Sequence, residues 1–480
     1  MLDQWPQWAF EAKRAELTGG FRRLLSEGVW YVGEHPSAAT LTAPGHALIG
    51  SGAPSSTSGI LANEWYHRDL DKRLGSIEDV DGSRTAKWSR VFGLGDSIAR
   101  ANTGAKAVAI ALKARSAILS LGHAGLSIWY DNKAVAWTSH QVPAWLAALN
   151  QTPIPIHEIW KPVDPALLAK LSGLPDNNAG ELGEKKFGAT FPHEPDATGD
   201  AADAVFSTPT GIDISFTAAT AAIDGEGLGE DEHGDLLVIS LSAHDYVGHG
   251  WGHESWEMWD LELRLDRAID QFLGMLDRRV GRGRWSMIVT SDHGASPVPE
   301  RAGDGGRLDY ETIHEVAAHA AMAELGEGRW VANVKYPNVF FTRELLAKPE
   351  DVRDRASAAV ASAIAALPGI AWARPKTQLA GDCDNRIGDA RVICLALDVE
   401  RSGELVYMPK PHWILQDRHE KLATSHGSMY AYDRQVPMIV LAPDRTAHAP
   451  HTHATGTRSM TEVAPLVARW LRVTPPLELR

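Results

Sequence analysis

The chain contains five short apolar runs, each five or six residues long and flanked by polar or turn-forming residues. They are rich in β-branched and aromatic side chains, and their length is that of a buried β-strand. Most are continuous rather than alternating, which predicts parallel strands covered on both faces. The predicted strands are GVWYVG (28–33), AVAIAL (107–112), LLVIS (236–240), WSMIV (285–289) and PMIVL (437–441).

Apolar residues at helical spacing occur between these runs. The pattern is clearest over residues 256–280, which predicts a packed amphipathic helix. Its apolar face comprises Met258, Leu261, Leu265, Ile269, Phe272 and Leu276. Strands that alternate with helices predict the α/β class, with a central, mostly parallel sheet and helices on both faces.

Two long stretches interrupt this alternation, and we interpret both as insertions into one core. The first is rich in Gly, Asp, Asn and Pro and is expected to form a cap, whereas the second is of mixed, turn-rich sequence. The predicted organisation is core 1–122, insertion 123–235, core 236–300, insertion 301–422 and core 423–480.

The composition narrows the function further. The 480 residues carry a formal net charge of −14, which argues against general nucleic-acid binding. No apolar run reaches the roughly 18 residues of a membrane span, and the closest stretch, 356–367, is short, contains serines and ends at Pro-Gly. The opening residues, MLDQWPQWAF, have neither the basic region nor the apolar region of a signal peptide.

Only two cysteines are present, Cys383 and Cys394, so a cysteine-rich zinc site is excluded. Their close spacing around Gly and Asn allows a hairpin disulfide. The alternative is a pair of reduced thiols.

Two pairs of aspartate and histidine directly follow predicted strands. Asp245 and His249 are four residues apart and share a face if the chain turns helical there. Asp292 and His293 follow the next strand, and His426 shortly precedes the last one. Because the sites of open α/β sheets gather at the carboxyl ends of strands, these groups are expected to meet. Carboxylate and imidazole ligands suit zinc, and five of them suggest two ions, although each pair alone is also typical of a surface turn.

A threonine at a predicted helix start is a candidate nucleophile. In TLTAPGHALIGSG (40–52), Pro44 lies just inside the helix and Gly52 just past its end. Thr42 is then at or near the N-cap, beside unpaired N–H groups that can bind an anion. Thr42 could simply cap the helix, but beside metal ions its hydroxyl becomes a nucleophile at ordinary pH.

Two cations follow another predicted strand. Lys113 and Arg115 are two residues apart after AVAIAL, and in an extended chain they share a face. A guanidinium fork and an ammonium point charge both suit phosphate oxygens. The alternative is a pair of solvated surface cations.

Taken together, these stretches resemble the alkaline phosphatase superfamily. They are most similar to its bacterial branch of phosphate monoesterases with a threonine nucleophile, which is grouped with the type I phosphodiesterase/nucleotide pyrophosphatase family. The resemblance implies an alkaline-phosphatase-like sandwich with inserted cap segments. The motifs that carry it occur in the family's order over most of the chain: TLTAPGHA, GILANEWY, ALKARSAIL, SIWYDN, STPTG, LSAHDYVGHGWG, RLDRAI, TSDHG, RSGELVYMPKPHWIL and TSHGSMYAYDRQVPMIV.

The resemblance also implies the role of each site residue and two Zn²⁺ ions per chain. It assigns Thr42 as the nucleophile, Asn63 as a donor to a phosphate oxygen, and Lys113 and Arg115 as the cation pair of the monoesterase branch. The implied ligands are Asp245, His249 and His426 for one zinc, and Asp292, His293, the Thr42 oxygen and Asp3 for the other.

Asp3, in LDQWPQW, is the ligand that departs most from the family pattern. In the family, the first strand of the sheet runs into this aspartate, whereas here only two residues stand before it. We therefore expect an apolar strand of about five or six residues to be encoded upstream of Met1.

The implied function is zinc-dependent hydrolysis of phosphate monoesters through a phosphothreonine intermediate, as in alkaline phosphatases. The expected partners are small-molecule phosphate esters, without nucleic acid or a membrane span, and the expected location is periplasmic or secreted. No oligomeric state is indicated. The alternatives are a phosphodiesterase or nucleotide pyrophosphatase at the same two-zinc site, which would leave the Lys/Arg pair without a charged oxygen to bind, and a non-catalytic binding module. A sulfatase is disfavoured because Thr42 replaces the Cys or Ser that becomes formylglycine.

Overall fold

The computed structural model describes residues 1–184, 187–442 and 453–476. In these residues the α-helices are α1 Gln7–Lys13, α2 Gly20–Glu27, α3 Thr42–Ser51, α4 Ser55–Ser58, α5 Leu94–Ala101, α6 Ala114–Leu121, α7 Ala144–Leu149, α8 Pro165–Ser172, α9 Ala201–Ala204, α10 Pro209–Glu226, α11 Ala243–Trp251, α12 Trp256–Leu276, α13 Pro299–Ala302, α14 Tyr310–Leu325, α15 Arg343–Leu346, α16 Glu350–Ala365, α17 Gly388–Leu395, α18 Ala431–Arg434 and α19 Val463–Leu471.

The strands of the same residues are β1 Val29–Glu34, β2 Glu64–His67, β3 Lys72–Gly75, β4 Ala107–Ala111, β5 Leu126–Asp131, β6 Ala136–Ser139, β7 Leu236–Ser240, β8 Met287–Val289, β9 Gly306–Asp309, β10 Val331–Lys335, β11 Asn338–Phe341, β12 Ile370–Pro375, β13 Leu405–Pro409, β14 Trp413–Gln416, β15 Gln435–Leu441 and β16 His453–Ser459.

The core contains two four-stranded sheets, with strand orders β6–β5–β4–β7 and β16–β1–β15–β8. In the first, β4 is parallel to β5 and β7, and β6 is antiparallel to β5. In the second, β1 is parallel to β16 and antiparallel to β15. Residues Met1–Asp3 connect the two sheets, because they hydrogen bond just beyond the ends of β7 and β8. Strands in this arrangement confirm the predicted α/β class.

Helices cover both faces of these sheets. Side chains of α2, α10 and α12 pack with Ile110 of β4 and Ile439 of β15 in the largest apolar cluster. On the opposite face, Leu48 and Ile49 of α3 pack against Tyr31 of β1. The predicted helix at 256–280 is α12, whose N-terminus is capped by the Ser255 hydroxyl, which accepts from the Met258 N–H at 3.1 Å.

All five predicted strands are present, and their ends differ from the predicted ends by at most two residues. The predicted parallel direction is wrong for two of these strands. The strand β15, the run PMIVL, is antiparallel to both β1 and β8, and β8, the run WSMIV, has β15 as its neighbour in the sheet. The β15 residues from Val436 to Leu441 are all buried. A strand that is covered on both faces is continuously apolar whichever way it runs, so burial rather than parallel pairing explains this sequence.

A second lobe lies within the predicted insertion 301–422. Strands β10, β11, β13 and β12 form its own four-stranded sheet. The helices α14 and α16 pack on that sheet, and residues such as Ile313, Ile364 and Tyr407 form a separate apolar cluster. These features support our proposal that this segment is an insertion.

The predicted insertion 123–235 is less separate from the core. Its strands β5 and β6 pair within the core sheet, and its helix α10 contributes to the largest apolar cluster. We therefore propose that the inserted cap is limited to the stretch between β6 and α10. Residues 443–452 and 477–480 of the predicted last core part, 423–480, lie outside the described residues.

Two smaller expectations concern membranes and cysteines. Within the described ranges, no helix combines the length and apolarity needed to cross a membrane. Cys383 and Cys394 form a disulfide, with their Cα atoms 5.5 Å apart. The bond joins a short 3₁₀ turn to α17 rather than closing a β-hairpin, since the helical turns between the two residues bring the thiols together.

Candidate active site

Acidic side chains from three separate segments meet where the core strands end. Asp3 is the last of the residues that connect the two sheets, and Asp292 and His293 follow β8. Asp245 lies in the first turn of α11, which begins shortly after β7 ends. Asp245 and His249 are one helical turn apart, and Asp245 Oδ1 lies 3.2 Å from His249 Nε2.

His426 joins this group from the loop before α18. Its Nε2 lies 3.6 Å from Asp245 Oδ1, and its ring stacks on His293 with the centroids 3.6 Å apart. Ligand atoms of Asp245, His293 and His426 all lie within 4.8 Å of one another. The His249 ring is adjacent, with its centroid 5.1 Å from that of His426.

A second group consists of Asp3, Asp292 and His293, whose ligand atoms also lie within 4.8 Å of one another. All three side chains are completely buried. Asp3 Oδ1, Asp292 Oδ2 and His293 Nε2 each lack a hydrogen-bond partner. Buried polar atoms without partners are costly, and three of them in one place fit a bound metal ion.

The histidine rings are oriented as metal ligands require. The Nδ1 atoms of His249, His426 and His293 lie 2.8, 2.7 and 3.0 Å from the backbone carbonyl oxygens of Thr424, Thr40 and Gly294. A carbonyl only accepts hydrogen bonds, so each Nδ1 carries a proton, and the Nε2 of the neutral ring offers its lone pair to the site. Backbone carbonyls commonly fix metal-binding histidines in this way.

Two of the carboxyl groups are held in the ionised form. Burial opposes ionisation of Asp245, but Lys113 and then His249 hold the pKa of its carboxyl well below its usual range. Burial likewise opposes ionisation of Asp292, and His293 is the main neighbour that keeps the pKa of this carboxyl low. Both groups are therefore anionic, which is the form that binds a cation.

The pKa values of Asp3 and His426 are shifted by burial and by the groups packed around them. Burial, and then the charge of Asp292, raise the pKa of Asp3 well above its usual range, although Lys113 opposes the shift. Burial, and then neighbouring His293, lower the pKa of His426 well below its usual range. A neutral His426 imidazole beside clustered carboxyl groups fits the oxygen and nitrogen donor set of zinc.

The Lys113 side chain contacts the carboxyl groups of Asp3 and Asp245, and Arg115 lies near enough to Lys113 to affect its pKa. Lys113 is the N-cap residue of α6, separated from the end of β4 by Leu112, and its side chain is buried. Burial by itself would lower the pKa of Lys113, but the carboxylates of Asp245 and Asp3 raise it above its usual value. Arg115 is half-buried, and its Nε is a buried atom without a hydrogen-bond partner.

Thr42 is the first residue of α3, as the sequence pattern predicts, and Gly52 follows the helix in the left-handed conformation with φ 80°. The Thr42 side chain is buried. Asn63 is packed against this helix start, since its Oδ1 accepts from the Ala43 N–H at 2.8 Å. This hydrogen bond holds the Asn63 amide beside Ala43, the residue that follows Thr42.

The sequence patterns do not reveal two further residues of the site, Gln4 and His46. Gln4 Nε2 donates to Asp245 Oδ1 at 2.8 Å, and its backbone N–H donates to Asp292 at 3.2 Å. His46 Nδ1 lies 3.1 Å from Asp292 Oδ2 and 2.8 Å from the Thr42 carbonyl oxygen. The available signals are that Gln4 adjoins Asp3, and that His46 lies one helical turn after Thr42.

The predicted ligands are thus close together, and their division between two metal ions stays a prediction. One group within 4.8 Å joins Asp245 and His426 to His293, and the His249 Nε2 atom lies 3.2 Å from Asp245. His293 contributes to both groups because it lies between them and stacks on His426.

Comparison with known proteins identifies relatives over nearly the whole chain. Residues 2–429 match the family model described as type I phosphodiesterase/nucleotide pyrophosphatase. The alkaline phosphatase PafA of Elizabethkingia meningoseptica is 27% identical over 498 residues, which cover 95% of this chain and 88% of the relative. A protein of Myroides odoratus named calcium-transporting ATPase is also 27% identical, with the same coverage. The crystal structure of wild-type PafA superposes with a TM-score of 0.89 at 24% identity, covering 100% of this chain and 96% of that chain, and so shows the same fold.

Proposed function

The chain belongs to the type I phosphodiesterase/nucleotide pyrophosphatase family, within the alkaline phosphatase superfamily, and we propose that it hydrolyses phosphate monoesters at a two-zinc site through a phosphothreonine on Thr42. It is a phosphoester hydrolase of the alkaline phosphatase type. One observation carries the proposal of a two-metal phosphatase site. Two ligand groups share His293, and one carboxyl group from each of them, Asp3 and Asp245, pairs with Lys113.

Six buried or half-buried side chains would hold the two metal ions: Asp3, Asp292 and His293 on one side, and Asp245, His249 and His426 on the other. The Thr42 oxygen would complete the first set. Zinc ions bound there would lower the pKa of the Thr42 hydroxyl and stabilise negative charge on the leaving oxygen.

The proposed reaction consists of two displacements at phosphorus, the first by Thr42 and the second by water. The Thr42 oxygen attacks phosphorus in line, the bond to the ester oxygen breaks, and the alcohol departs with a proton. Water then attacks the phosphothreonine, which releases inorganic phosphate and restores the Thr42 hydroxyl. Because the chemistry is a simple displacement, positioning and charge stabilisation supply most of the rate.

Three side chains would bind the non-bridging phosphate oxygens. The Asn63 amide, held against the start of α3, would donate to one of them. Lys113 and Arg115 would bind the oxygen that carries the second negative charge of a monoester. A diester has an ester group in place of that oxygen, so this pair favours the monoesterase over the phosphodiesterase alternative.

The proposal is tested by comparing the turnover of an aryl phosphate monoester and the matching diester, with added zinc at alkaline pH. We expect a higher kcat/KM for the monoester. A higher value for the diester would favour the phosphodiesterase or nucleotide pyrophosphatase alternative. A chain that binds zinc fully and turns over neither substrate would be the non-catalytic binding module.

We also propose that the protein works in the periplasm or outside the cell, on small-molecule phosphate esters. The disulfide between Cys383 and Cys394 supports this location, because such bonds persist in oxidising compartments. The net charge of −14 supports small esters over nucleic acids as substrates.

A further inference from the structure

His253 is a buried histidine that the proposed chemistry does not use. It follows Gly252, the residue directly after α11, and its Nε2 atom lies 2.9 Å from Gln4 Oε1. An amide oxygen only accepts hydrogen bonds, so His253 Nε2 carries the proton and donates it. Burial, and then the nearby His244 ring, hold the pKa of His253 well below its usual range, so the ring is neutral.

The nitrogen of the same Gln4 amide reaches two candidate metal ligands. It donates to Asp245 Oδ1 at 2.8 Å and lies 3.1 Å from His249 Nε2. A side-chain amide that is rotated by half a turn keeps its shape but exchanges its oxygen and its nitrogen. The rotated amide would place its oxygen against the Asp245 carboxylate and its NH₂ group against the His253 N–H. The hydrogen bond from His253 therefore selects the orientation that suits Asp245.

The Gln4 and His253 side chains pack directly on α11. A Cβ atom on Gly248 would lie 2.1 Å from Gln4 Oε1 and 3.1 Å from His253 Nε2, so glycine is needed for this close approach. The Gln4 backbone is held as well, because its N–H donates to Asp292 Oδ1 at 3.2 Å. The Gln4 amide is thus fixed from both ends and has little freedom to move.

Packing alone does not explain an imidazole at this place. Among the described residues, the buried Nδ1 atom of His253 has no hydrogen-bond partner. The neighbouring rings are those of Trp8 and His244, with centroids 6.0 and 5.5 Å away. A leucine of similar volume would bury no unpaired polar atom, and would therefore be the more stable choice if packing were the only requirement. What the imidazole supplies is the N–H group that Gln4 accepts.

We propose that His253 is a positioning residue, which fixes the Gln4 amide and thereby holds the Asp245 carboxylate in the orientation that binds a metal ion. This inference rests on the proposed two-metal site, in which Asp245 is a ligand. Lys113 contacts the other oxygen of that carboxylate, Oδ2, so Oδ1 is left to the Gln4 amide and the histidines. Hydrogen bonds that orient ligand groups in this way typically change metal affinity by about 10–100-fold.

The test measures the zinc affinity of the metal-free chain by competition with a coloured chelator, so it does not depend on turnover. His253→Leu removes the N–H donor and keeps the volume, whereas His253→Gln keeps an N–H donor. Gln4→Met removes the amide, and the double variant Gln4→Met/His253→Leu completes the set. His193→Leu is the matched control, because His193 is also buried but pairs with Glu257 rather than with a residue of the site.

His253→Leu should weaken the binding of one of the two zinc ions by about 10–100-fold, and His253→Gln should stay within about threefold of the wild type. In the Gln4→Met chain the amide is already absent, so adding His253→Leu should change the zinc affinity by less than about twofold. The control His193→Leu should lower the Tm without changing the zinc affinity, since it disturbs only the packing of the chain.

Three outcomes would overturn the inference. An unchanged zinc affinity in folded His253→Leu would do so and would leave the two-metal site intact. An equal loss in the wild-type and Gln4→Met chains would show that His253 acts through packing rather than through the amide. A wild type that binds no zinc would reject the proposed function, and the inference with it.

A further measurement does not require the leucine variant to fold. In ¹⁵N NMR of the histidine-labelled, metal-free wild type, the His253 ring should be neutral with its proton on Nε2. The signal that is missing from the spectrum of His253→Gln identifies this ring. A proton on Nδ1 instead would overturn the inference, because Nε2 could then not donate to Gln4.

Discussion

The Lys113 ammonium nitrogen lies 2.7 Å from Asp3 Oδ2, although the two residues are 110 positions apart in the sequence. The same nitrogen lies 2.5 Å from Asp245 Oδ2. One buried cation therefore links a carboxylate from each of the two candidate ligand groups. This contact ties the proposed phosphate-binding pair to the proposed metal ligands.

The first prediction concerns Lys113 and Arg115. The variant Lys113→Ala/Arg115→Ala should lower kcat/KM for a monoester by about two to four orders of magnitude, because each charge-assisted hydrogen bond contributes about 1.5–3 kcal/mol. Diester turnover should change much less, since a diester lacks the second charged oxygen. Steady-state kinetics with both substrates tests this, and Lys133→Ala, at an exposed turn, is the control. An equal fall for both substrates would show that the pair is structural or binds phosphate generally.

The second prediction concerns the nucleophile. Thr42→Ala should reduce kcat by at least about a thousandfold while the circular dichroism spectrum stays unchanged, because the hydroxyl acts only in the chemical step. Thr42→Ser keeps a hydroxyl and should retain part of the activity. Acid quenching with labelled substrate should leave phosphate on Thr42 in the wild type and none in the Ala variant. Wild-type rates in Thr42→Ala would show that another group attacks phosphorus.

The third prediction concerns metal content. Elemental analysis should find about two zinc ions per chain, and exhaustive chelation should abolish activity. His426→Ala should lose about one ion, since it removes a ligand that lies beside Asp245 and His293. The exposed His319→Ala is the matched control and should bind as much zinc as the wild type. Activity that survives removal of all metal would contradict the two-zinc site.

The fourth prediction concerns the disulfide. Cys383→Ser/Cys394→Ser should lower the free energy of unfolding by about 2–3 kcal/mol, because the bond closes a short loop in the unfolded chain. Denaturation curves with and without reductant check this. The wild type should lose stability in reductant, and the double variant should not respond. Two freely alkylated thiols in exported protein would show that the bond does not form in the oxidising compartment.

The fifth prediction concerns pH and Asp433, a buried residue that accepts from the Ser428 N–H at 2.8 Å in the loop that carries His426. Burial raises the pKa of Asp433 from 3.8 to about 7, against the effect of its Ser428 contacts. The folded chain thus binds this proton more tightly than the unfolded chain, so the stabilisation is full below about pH 4 and is lost as the pH rises through 7.

The loss amounts to something on the order of 4 kcal/mol, since one pKa unit corresponds to about 1.4 kcal/mol. Asp433→Asn does not titrate and should show a flatter dependence of unfolding free energy on pH between 4 and 8. Urea denaturation at several pH values measures this, with the exposed Asp354→Asn as the control. An unchanged pH profile in Asp433→Asn would mean that this carboxyl is ionised in the folded protein.

Much of the fold could be predicted from the sequence because the main strands are buried on both faces. Runs such as LLVIS and AVAIAL are distinct in the sequence, and β7 and β4 follow them closely. Because β4 and β7 are parallel, the polar residues that follow their carboxyl ends lie at the same edge of the sheet. The ends of these runs therefore indicate one site for Asp245 and Lys113, whose side chains are in contact.

The sequence does not reveal features that depend on the pairing of distant segments. The direction of β15 is one example, since its apolar run reflects burial alone. Gln4 and His46 are another, because Gln4 hydrogen bonds to Asp245 and the His46 Nδ1 atom lies 3.1 Å from Asp292, and both aspartates are far away in the chain. The stacking of the His293 ring on the His426 ring is a third example, because no spacing pattern in the sequence encodes this contact.

The second lobe has a consequence for the order in which the protein is made. It lies between His293 and His426 in the sequence. A nascent chain that already contains Asp3, Asp245 and His293 therefore lacks the candidate ligand His426 until the entire lobe has been synthesised. Contacts between such distant segments form late, because the intervening chain must first become compact. Metal capture would therefore be a final step of maturation, completed only when the lobe has folded and returned His426 to the core.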